Sequence, residues 1–320
     1  MGLDDYVNTF GAVCKKQYGG RIRKLTIDAK FTCPNRDGTL GKGGCTFCNV
    51  SSFSYEQGTE ASISEQLVQG KQRSLLANAP ASTSKYIAYF QAYTSTYDEY
   101  QVLKQKYDEA IKDADIVGLH IGTRPDCVPD EILDLLVSYQ DKGIEVWLEL
   151  GLQTSNSETL KRINRGHDFS AYEDTVIRAR KRGIKVCAHL ILGLPGETYD
   201  DYLNSLQQVI NTGVDGLKLH PLHIVEGSVM AKAWRHKGMP LLSQEDYAHY
   251  ASELIRNTPK EIIFHRVTAY AKKPMLLAPD WCAYRWDGLV SIVKNLAENG
   301  GQGYYVTSRT VQKVTALHVS

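Results

Sequence analysis

Between residues 23 and 221 the sequence alternates between short apolar runs of strand length and longer stretches with helical periodicity. Strands are expected near 23–30, 84–91, 115–121, 144–152, 184–192 and 215–221, and helices near 60–77, 98–112, 129–141, 156–163, 170–182 and 198–212. This rhythm restricts the fold severely. A helix between two strands carries the chain back to the end it started from, so successive strands pair in parallel and the crossovers are right-handed. The expected class is α/β with one parallel sheet, either open or rolled into a barrel. No repeat, low-complexity tract or Pro/Gly/Ser-rich linker divides the chain.

Side-chain alternation bears on that choice. In the fourth strand Ile144, Val146, Leu148, Leu150 and Leu152 share one face, and Glu145, Trp147, Glu149, Gly151 and Gln153 the other. Similar splits set Leu217 and Leu219 against Lys218 and His220, and Val117, Leu119 and Ile121 against Gly118, His120 and Gly122. An ordinary eight-stranded barrel fills its interior with branched apolar side chains. Here an apolar face is offered to the helices and polar groups turn the other way. The expectation is a hydrated or ligand-filled lumen lined by Asp28, Lys30, His120, Glu149, Gln153, His189 and His220. The alternative leaves these residues exposed at the edges of an open sheet, although large open parallel sheets usually bury both faces.

Beyond residue 226 the rhythm changes to helices near 227–236, 243–257 and 287–298, a short strand around 261–266, and a segment punctuated by Pro274 and Pro279. The expected organisation is an N-terminal extension at 1–22, a partial barrel at 23–226 and a C-terminal α/β extension at 227–320 packed on the barrel.

Seven cysteines, an odd number, stand at 14, 33, 45, 48, 127, 187 and 282. The first 30 residues carry Asp4, Asp5, Lys15, Lys16, Arg21, Arg23 and Lys24 instead of a secretory apolar segment, and no run reaches the ~18 apolar residues that cross a bilayer. Met1-Gly2 opens like a myristoylation signal, but Tyr6 stands where that signal wants Ser or Thr. A cytoplasmic chain without membrane contact is expected, and in a reducing compartment clustered thiols point to metal binding or catalysis.

Three of the seven do cluster. Cys33, Cys45 and Cys48 follow the first strand directly, at the C-terminal rim where such folds place active sites. Cys45 and Cys48 can chelate one centre, and Gly38, Gly41, Gly43 and Gly44 let Cys33 reach the same one. A structural zinc wants four ligands, whereas an iron–sulfur cubane held by three leaves one iron open. Zinc completed by Cys14 or His120 is the alternative. A phosphate loop is disfavoured because Gly41-Lys42 is followed by Gly43. Cys14, Cys127, Cys187 and Cys282 read as small buried hydrophobes.

With these cysteines, C-x11-C-x2-C, stand Gly122-Thr-Arg-Pro-Asp126, Glu149-Leu-Gly-Leu-Gln-Thr154, Asn164-Arg-Gly-His167 and Ile191-Leu-Gly-Leu-Pro-Gly-Glu197. From about residue 20 to 300 the chain resembles radical S-adenosylmethionine (SAM) enzymes. Within them it is similar to the YhcC/YtqA branch, related to the Elongator catalytic subunit and to oxygen-independent coproporphyrinogen oxidase. The resemblance implies a partial (β/α)6 TIM-like barrel. It implies a [4Fe–4S] cluster on Cys33, Cys45 and Cys48, with SAM on the fourth iron and cleaved to a 5′-deoxyadenosyl radical.

The resemblance also assigns SAM contacts. Gln153 matches a ribose contact, and Arg165 matches the arginine that pairs with the methionine carboxylate, as a forked guanidinium suits it; a solvated helix position is the alternative for Arg165. Leu192, Gly193, Leu194 and Pro195 match a backbone cradle for adenine, or else form an ordinary turn. His189 occupies the place of an acidic ribose contact in the oxidases, or is a buried lumen histidine. Two departures matter. Gln91-Ala-Tyr-Thr-Ser-Thr-Tyr97 replaces the usual Gly-Gly-Glu-like motif, passing the methionine amine to carbonyls near Tyr93 and to Thr94 and Ser95. Gly122 replaces an acidic residue, so Glu149 is expected to supply a carboxylate.

Lys and Arg number 37 against 36 Asp and Glu, a formal charge of +1, which excludes a nonspecific polyanion binder. Local basic runs remain. Residues 161–185 hold eight Lys/Arg against three acids, and residues 15–42 hold eight against two. Each could meet phosphates, although Arg178-Ala-Arg-Lys-Arg182 also suits a solvated helix C-terminus. The resemblance implies tRNA as substrate, with the 5-carboxymethylaminomethyl side chain of wobble uridine trimmed to aminomethyl. It implies an electron donor such as flavodoxin or ferredoxin, and a tRNA methyltransferase acting on the product. Tyr93, Tyr97, Tyr270 and Tyr284 are candidates for stacking on an anticodon loop. The alternatives are a radical SAM enzyme acting on a small anionic metabolite and a non-catalytic iron–sulfur module.

Overall fold

A computed structural model describes residues 2–49, 60–76 and 85–306; the expected ends at 77 and 84 lie outside them. Seven parallel strands stand side by side in chain order. They are β1 (Arg23–Ile27), β2 (Tyr86–Phe90), β3 (Ile116–Thr123), β4 (Glu145–Gln153), β5 (Lys185–Leu192), β6 (Gly216–Pro221) and, after a two-residue β7 (Ile224–Val225), β8 (Ile263–Arg266). β7 pairs antiparallel with β9 (Leu276–Ala278). Because the strand order never reverses, right-handed crossovers put every intervening helix on one face, and the sheet curls with its other face inward. β1 and β8 are the edges, so the barrel is partial.

A first helix, α1 (Phe10–Tyr18), precedes the sheet. The outer face is covered by α2 (Ile63–Leu76), α3 (Tyr100–Ile111), α4 (Asp130–Gln140), α6 (Phe169–Lys181) and α7 (Tyr199–Asn211), while the short α5 (Ser157–Arg162) buries Leu160 in a separate cluster with Leu194, Leu222 and Met230. Leu119, Leu148, Val186 and Leu217 from the strands meet Leu103, Leu136, Val176 and Leu206 from the helices in one continuous core. Sequence chemistry starts the helices where the pattern predicts. The Asp168 carboxylate accepts from Ala171 N at 3.0 Å, and Thr198 with Asp201 forms a capping box at α7.

The inner face is polar, but its lower half is packed. Phe10 and Cys14 of α1 enter beneath the sheet against Ile87, Trp147 and Cys187, and Phe10 and Trp147 each lie 4.3 Å, ring centre to ring centre, from His265. A hydrated lumen is therefore corrected to a lumen filled over its lower half. Strand alternation carries no trace of a helix that plugs the floor from outside the sheet. The N-terminal segment lies along the β8 edge: Phe264 N donates to Asn8 O at 2.8 Å, and Thr9 bridges to Phe264. Lys30 also leaves the expected lumen set. β1 ends at Ile27, the Asp28 carboxylate accepts from Lys30 N at 2.9 Å, and the exposed Lys30 ammonium pairs with Glu60 at 2.9 Å.

The segment after 226 contributes to the sheet as well as packing on it. It holds α8 (Val229–Lys237), α9 (Gln244–Arg256) and α10 (Asp287–Asn299), with Tyr247, Leu254, Ile292 and Leu296 buried in the main core. β8 adds the seventh strand, pairing Gly216 with Ile263, Leu217 with Phe264 and Lys218 with Arg266. The one-residue slip leaves His265 as a bulge.

Candidate active site

Cys33, Cys45 and Cys48 lie on one loop that leaves β1 at the C-terminal rim and folds tightly back. Arg36 N and Asp37 N donate to Cys33 O at 2.8 and 3.1 Å, and Cys48 N to Cys45 O at 3.0 Å. Asn35 and Asn164 staple this loop to the one after α5. The Asn35 amide donates to Asn164 O at 2.5 Å, Asn164 Nδ2 to Gly44 O at 2.9 Å, and Thr46 N to Ile163 O at 2.9 Å. Burial pushes the Cys48 thiol up, and neighbouring Cys45 adds to this while Arg36 opposes it.

Three thiols on one small loop fit a cubane with an open iron. The zinc alternative fails on its fourth ligand: Cys14 is packed in the floor cluster, and His120 Nδ1 is engaged with Glu149 at 2.8 Å. Gly44 has φ +80°, and a Cβ there would stand 2.7 Å from Arg36 Nε. Gly44→Ala should therefore reduce iron and sulfide bound on anaerobic reconstitution at least several-fold while thermal stability changes little; full loading would refute this account of the loop.

Around the same rim lie the other expected contacts. Arg165 is buried, not a solvated helix residue. Its Nε donates to Gly151 O at 3.1 Å and its Nη1 approaches Cys45 Sγ at 3.4 Å. Gln153 ends β4 with φ +81° after a register shift. A Cβ on Gly151 would stand 2.9 Å from both Gln153 Nε2 and Arg165 Nη2, so a glycine at 151 is what lets these side chains converge. Tyr93 has φ +60°, and Thr94 and Ser95 are fully buried. Their hydroxyls find no partner among the described residues. Buried polar atoms normally are satisfied, so two orphaned hydroxyls at this rim suit a polar ligand. Leu192 buries its side chain in the core, and its carbonyl accepts from Leu222 N at 2.9 Å. Gly193 has φ +92°, and its amide donates to the Tyr202 hydroxyl at 3.0 Å.

Glu149 is the hub of the lumen floor. It is fully buried, with Oε1 2.9 Å from Lys24 Nζ and 2.8 Å from His120 Nδ1, and Oε2 bonded to Lys218 Nζ and 3.1 Å from His189 Nε2. Lys218 also donates to the Tyr89 hydroxyl at 2.9 Å, and Lys24 Nζ lies 3.2 Å from His265 Nδ1, tying the two sheet edges. Burial opposes ionisation of Glu149, yet Lys218 and Lys24 hold its carboxyl well below the usual range. Burial, with Lys24, lowers His120 to about 3; burial, with Lys218, lowers His189 to about 4. Both rings are neutral and donate to the carboxylate. Burial lowers Lys218 to about 8 against the pull of Glu149. The carboxylate that Glu149 was expected to supply in place of the acid missing at Gly122 is thus committed inside the protein. Lys24, Lys218 and His265 were missed as lumen groups; Lys24 and Lys218 stand on the polar parity of β1 and β6, which was the available signal.

The basic run at 178–182 does not form a phosphate site. Arg178 pairs with Asp130 and Asp174, Arg182 with Asp134, and Arg180 with Asp215. A helix that leads into a strand ends at that strand's start, so this run lies at the end of the barrel opposite the cysteines. Cys127, Cys187 and Cys282, like Cys14, are buried. No helix among the described residues is long and apolar enough to cross a membrane.

Comparison with known proteins agrees with this geometry. Residues 36–209 match the family model described as the radical SAM superfamily, and residues 214–298 the radical SAM C-terminal domain. YhcC of Escherichia coli (strain K12) is 55% identical over 303 residues, 95% of this chain and 96% of that one. YtqA of Bacillus subtilis (strain 168) is 37% identical over 89% of this chain and 88% of its own. A shorter stretch, 37% of this chain and 26% of the relative, is 31% identical to the tRNA uridine(34) acetyltransferase of Dehalococcoides mccartyi. In fold, the archaeal Methanocaldococcus infernus Elp3 matches with TM-score 0.63 and 16% identity over 87% of this chain and 63% of that one. The chain belongs to the radical SAM superfamily, whose enzymes use a [4Fe–4S] cluster and SAM, and within it to the YhcC/YtqA branch with similarity to Elongator complex protein 3.

Proposed function

We propose that the chain is a tRNA-modifying radical SAM enzyme that trims the carboxymethylaminomethyl side chain of wobble uridine to aminomethyl. In this reading Cys33, Cys45 and Cys48 hold the cluster. Arg165 takes the methionine carboxylate of SAM, Thr94 with the backbone at Tyr93 takes its amine, and Gln153, His189 and the Leu192-Gly193 turn frame the nucleoside. Glu149 supports that shell through His189. Bound there, cluster and SAM supply a 5′-deoxyadenosyl radical able to abstract a substrate hydrogen. The protein's part is to orient the target and keep water from the site.

The observation that carries the tRNA reading is the stretch shared with a protein named for uridine 34 of tRNA. A surface feature supports it. Tyr284 and Trp286 are 63% and 61% exposed, and the Arg285 guanidinium stacks on Tyr270 and Trp286 at 5.4 and 5.3 Å. Aromatic rings interleaved with a cation suit unpaired bases. Tyr93 is half-buried and Tyr97 donates to the Thr39 hydroxyl at 2.9 Å, so those two are not part of this surface. A flavodoxin or ferredoxin would supply the electron, and a tRNA methyltransferase would consume the product.

Nucleoside mass spectrometry of tRNA from a strain lacking the gene should show carboxymethylaminomethyluridine accumulating and aminomethyl derivatives lost. An unchanged profile would remove the tRNA assignment.

A further inference from the structure

Above the Glu149 hub, toward the rim, the lumen contains a cation without an acid. Arg266 is the last residue of β8, and the register slip at Lys218 turns it to the inner face, where its Nη1 lies 2.8 Å from His220 Nε2. Among the described residues no carboxylate pairs with it, although Arg124, Arg178, Arg180, Arg182 and Arg235 each have one. The nature of its partner matters. Burial and the neighbouring Arg266 hold His220 well below the usual histidine range, so the ring is neutral and accepts a hydrogen bond. A carboxylate in that place would orient the guanidinium and cancel its charge; a neutral imidazole orients it and leaves the charge. Four of the five N–H donors stay available to a ligand. Beneath, Lys218 and Lys24 face the single carboxylate of Glu149. The same device recurs at Arg165, which is held by the Gly151 carbonyl instead of an acid.

We propose that Arg266, oriented by His220, is a specificity residue that receives a carboxylate of the substrate inside the lumen. The carboxymethylaminomethyl side chain and a small anionic metabolite share this chemistry; only the first source rests on the tRNA reading.

The test uses the reconstituted full-length protein and an anticodon stem-loop RNA carrying carboxymethylaminomethyluridine, as the free acid or as its methyl ester. Wild type should bind the acid about 10- to 100-fold more tightly than the ester, the worth of one charge-assisted pair. Arg266→Gln should remove that preference by weakening the acid alone, and Arg266→Lys should restore part of it. Equal binding of acid and ester by wild type, or a preference retained in Arg266→Gln, would overturn the RNA form of the proposal. If neither RNA binds, the tRNA reading fails separately. Small-metabolite extract divided by anion exchange is then the probe. Deoxyadenosine release stimulated by the anionic fraction in wild type and lost in Arg266→Gln upholds the carboxylate site. Stimulation by the neutral fraction alone, or by none, overturns it.

Discussion

Cys45→Ala should abolish both the visible absorbance of the reconstituted iron–sulfur centre and reductive SAM cleavage, while leaving the thermal transition nearly in place. The two halves of this result have separate causes. Cys45 is 6% exposed, so removing one sulfur leaves a small gap worth about 1 kcal/mol. Arg165 and Asn35 keep their carbonyl partners at Gly151 and Asn164. The ligand loss is of another order, because three thiolates are all that the loop supplies and two cannot hold a cubane. Anaerobic reconstitution followed by absorption, iron counting and deoxyadenosine release measures the effect. SAM cleavage surviving in Cys45→Ala would sink the cluster assignment.

The second large effect falls on stability. Glu149→Gln leaves Lys218 and Lys24 confronting each other inside the barrel without an anion, and breaking one side of a buried ion network costs about 3–5 kcal/mol. The melting temperature should fall by roughly 5–15 °C. Adding Lys218→Met to Glu149→Gln should recover a large part, since the second change removes the stranded charge. A single variant as stable as the parent would refute the hub. The pH dependence has a defined sign. The Glu149 carboxyl is held below its unfolded value, so its stabilisation is complete above the unfolded pKa of about 4.3 and is lost as the pH falls through the lower folded value. Parent stability should therefore drop on acidification below about pH 4, and the Glu149→Gln variant should show a shallower drop.

Much of the site was legible because its signals are local. The cysteine spacing, the glycines between the cysteines and the polar parity of β4 each involve neighbours within one loop or strand, and such residues keep their relation in any fold that forms the element. Arg165 was legible by resemblance only. On its own it looked like part of a basic helix, and burial beside Cys45 arises because Gly151 leaves space for the guanidinium near the end of β4. The basic run at 178–182 stayed open between a phosphate site and a solvated helix end for the converse reason. Besides Asp174 on the same helix, its acids come from Asp130 and Asp134 on α4 and Asp215 before β6, more than 30 residues away in the chain.

The sequence by itself determined a parallel α/β sheet with three cysteines at its C-terminal rim, because hydrophobic period and ligand spacing act over a few residues. The tertiary structure alone decided that α1 plugs the floor, that β8 completes the sheet, and that Glu149 is surrounded by Lys24, His120, His189 and Lys218 from four different strands. It also turned Arg266 inward beside His220. These relations come into being when distant strands curl round a common axis, and a low-dielectric interior then makes each charge depend on partners that no local pattern records.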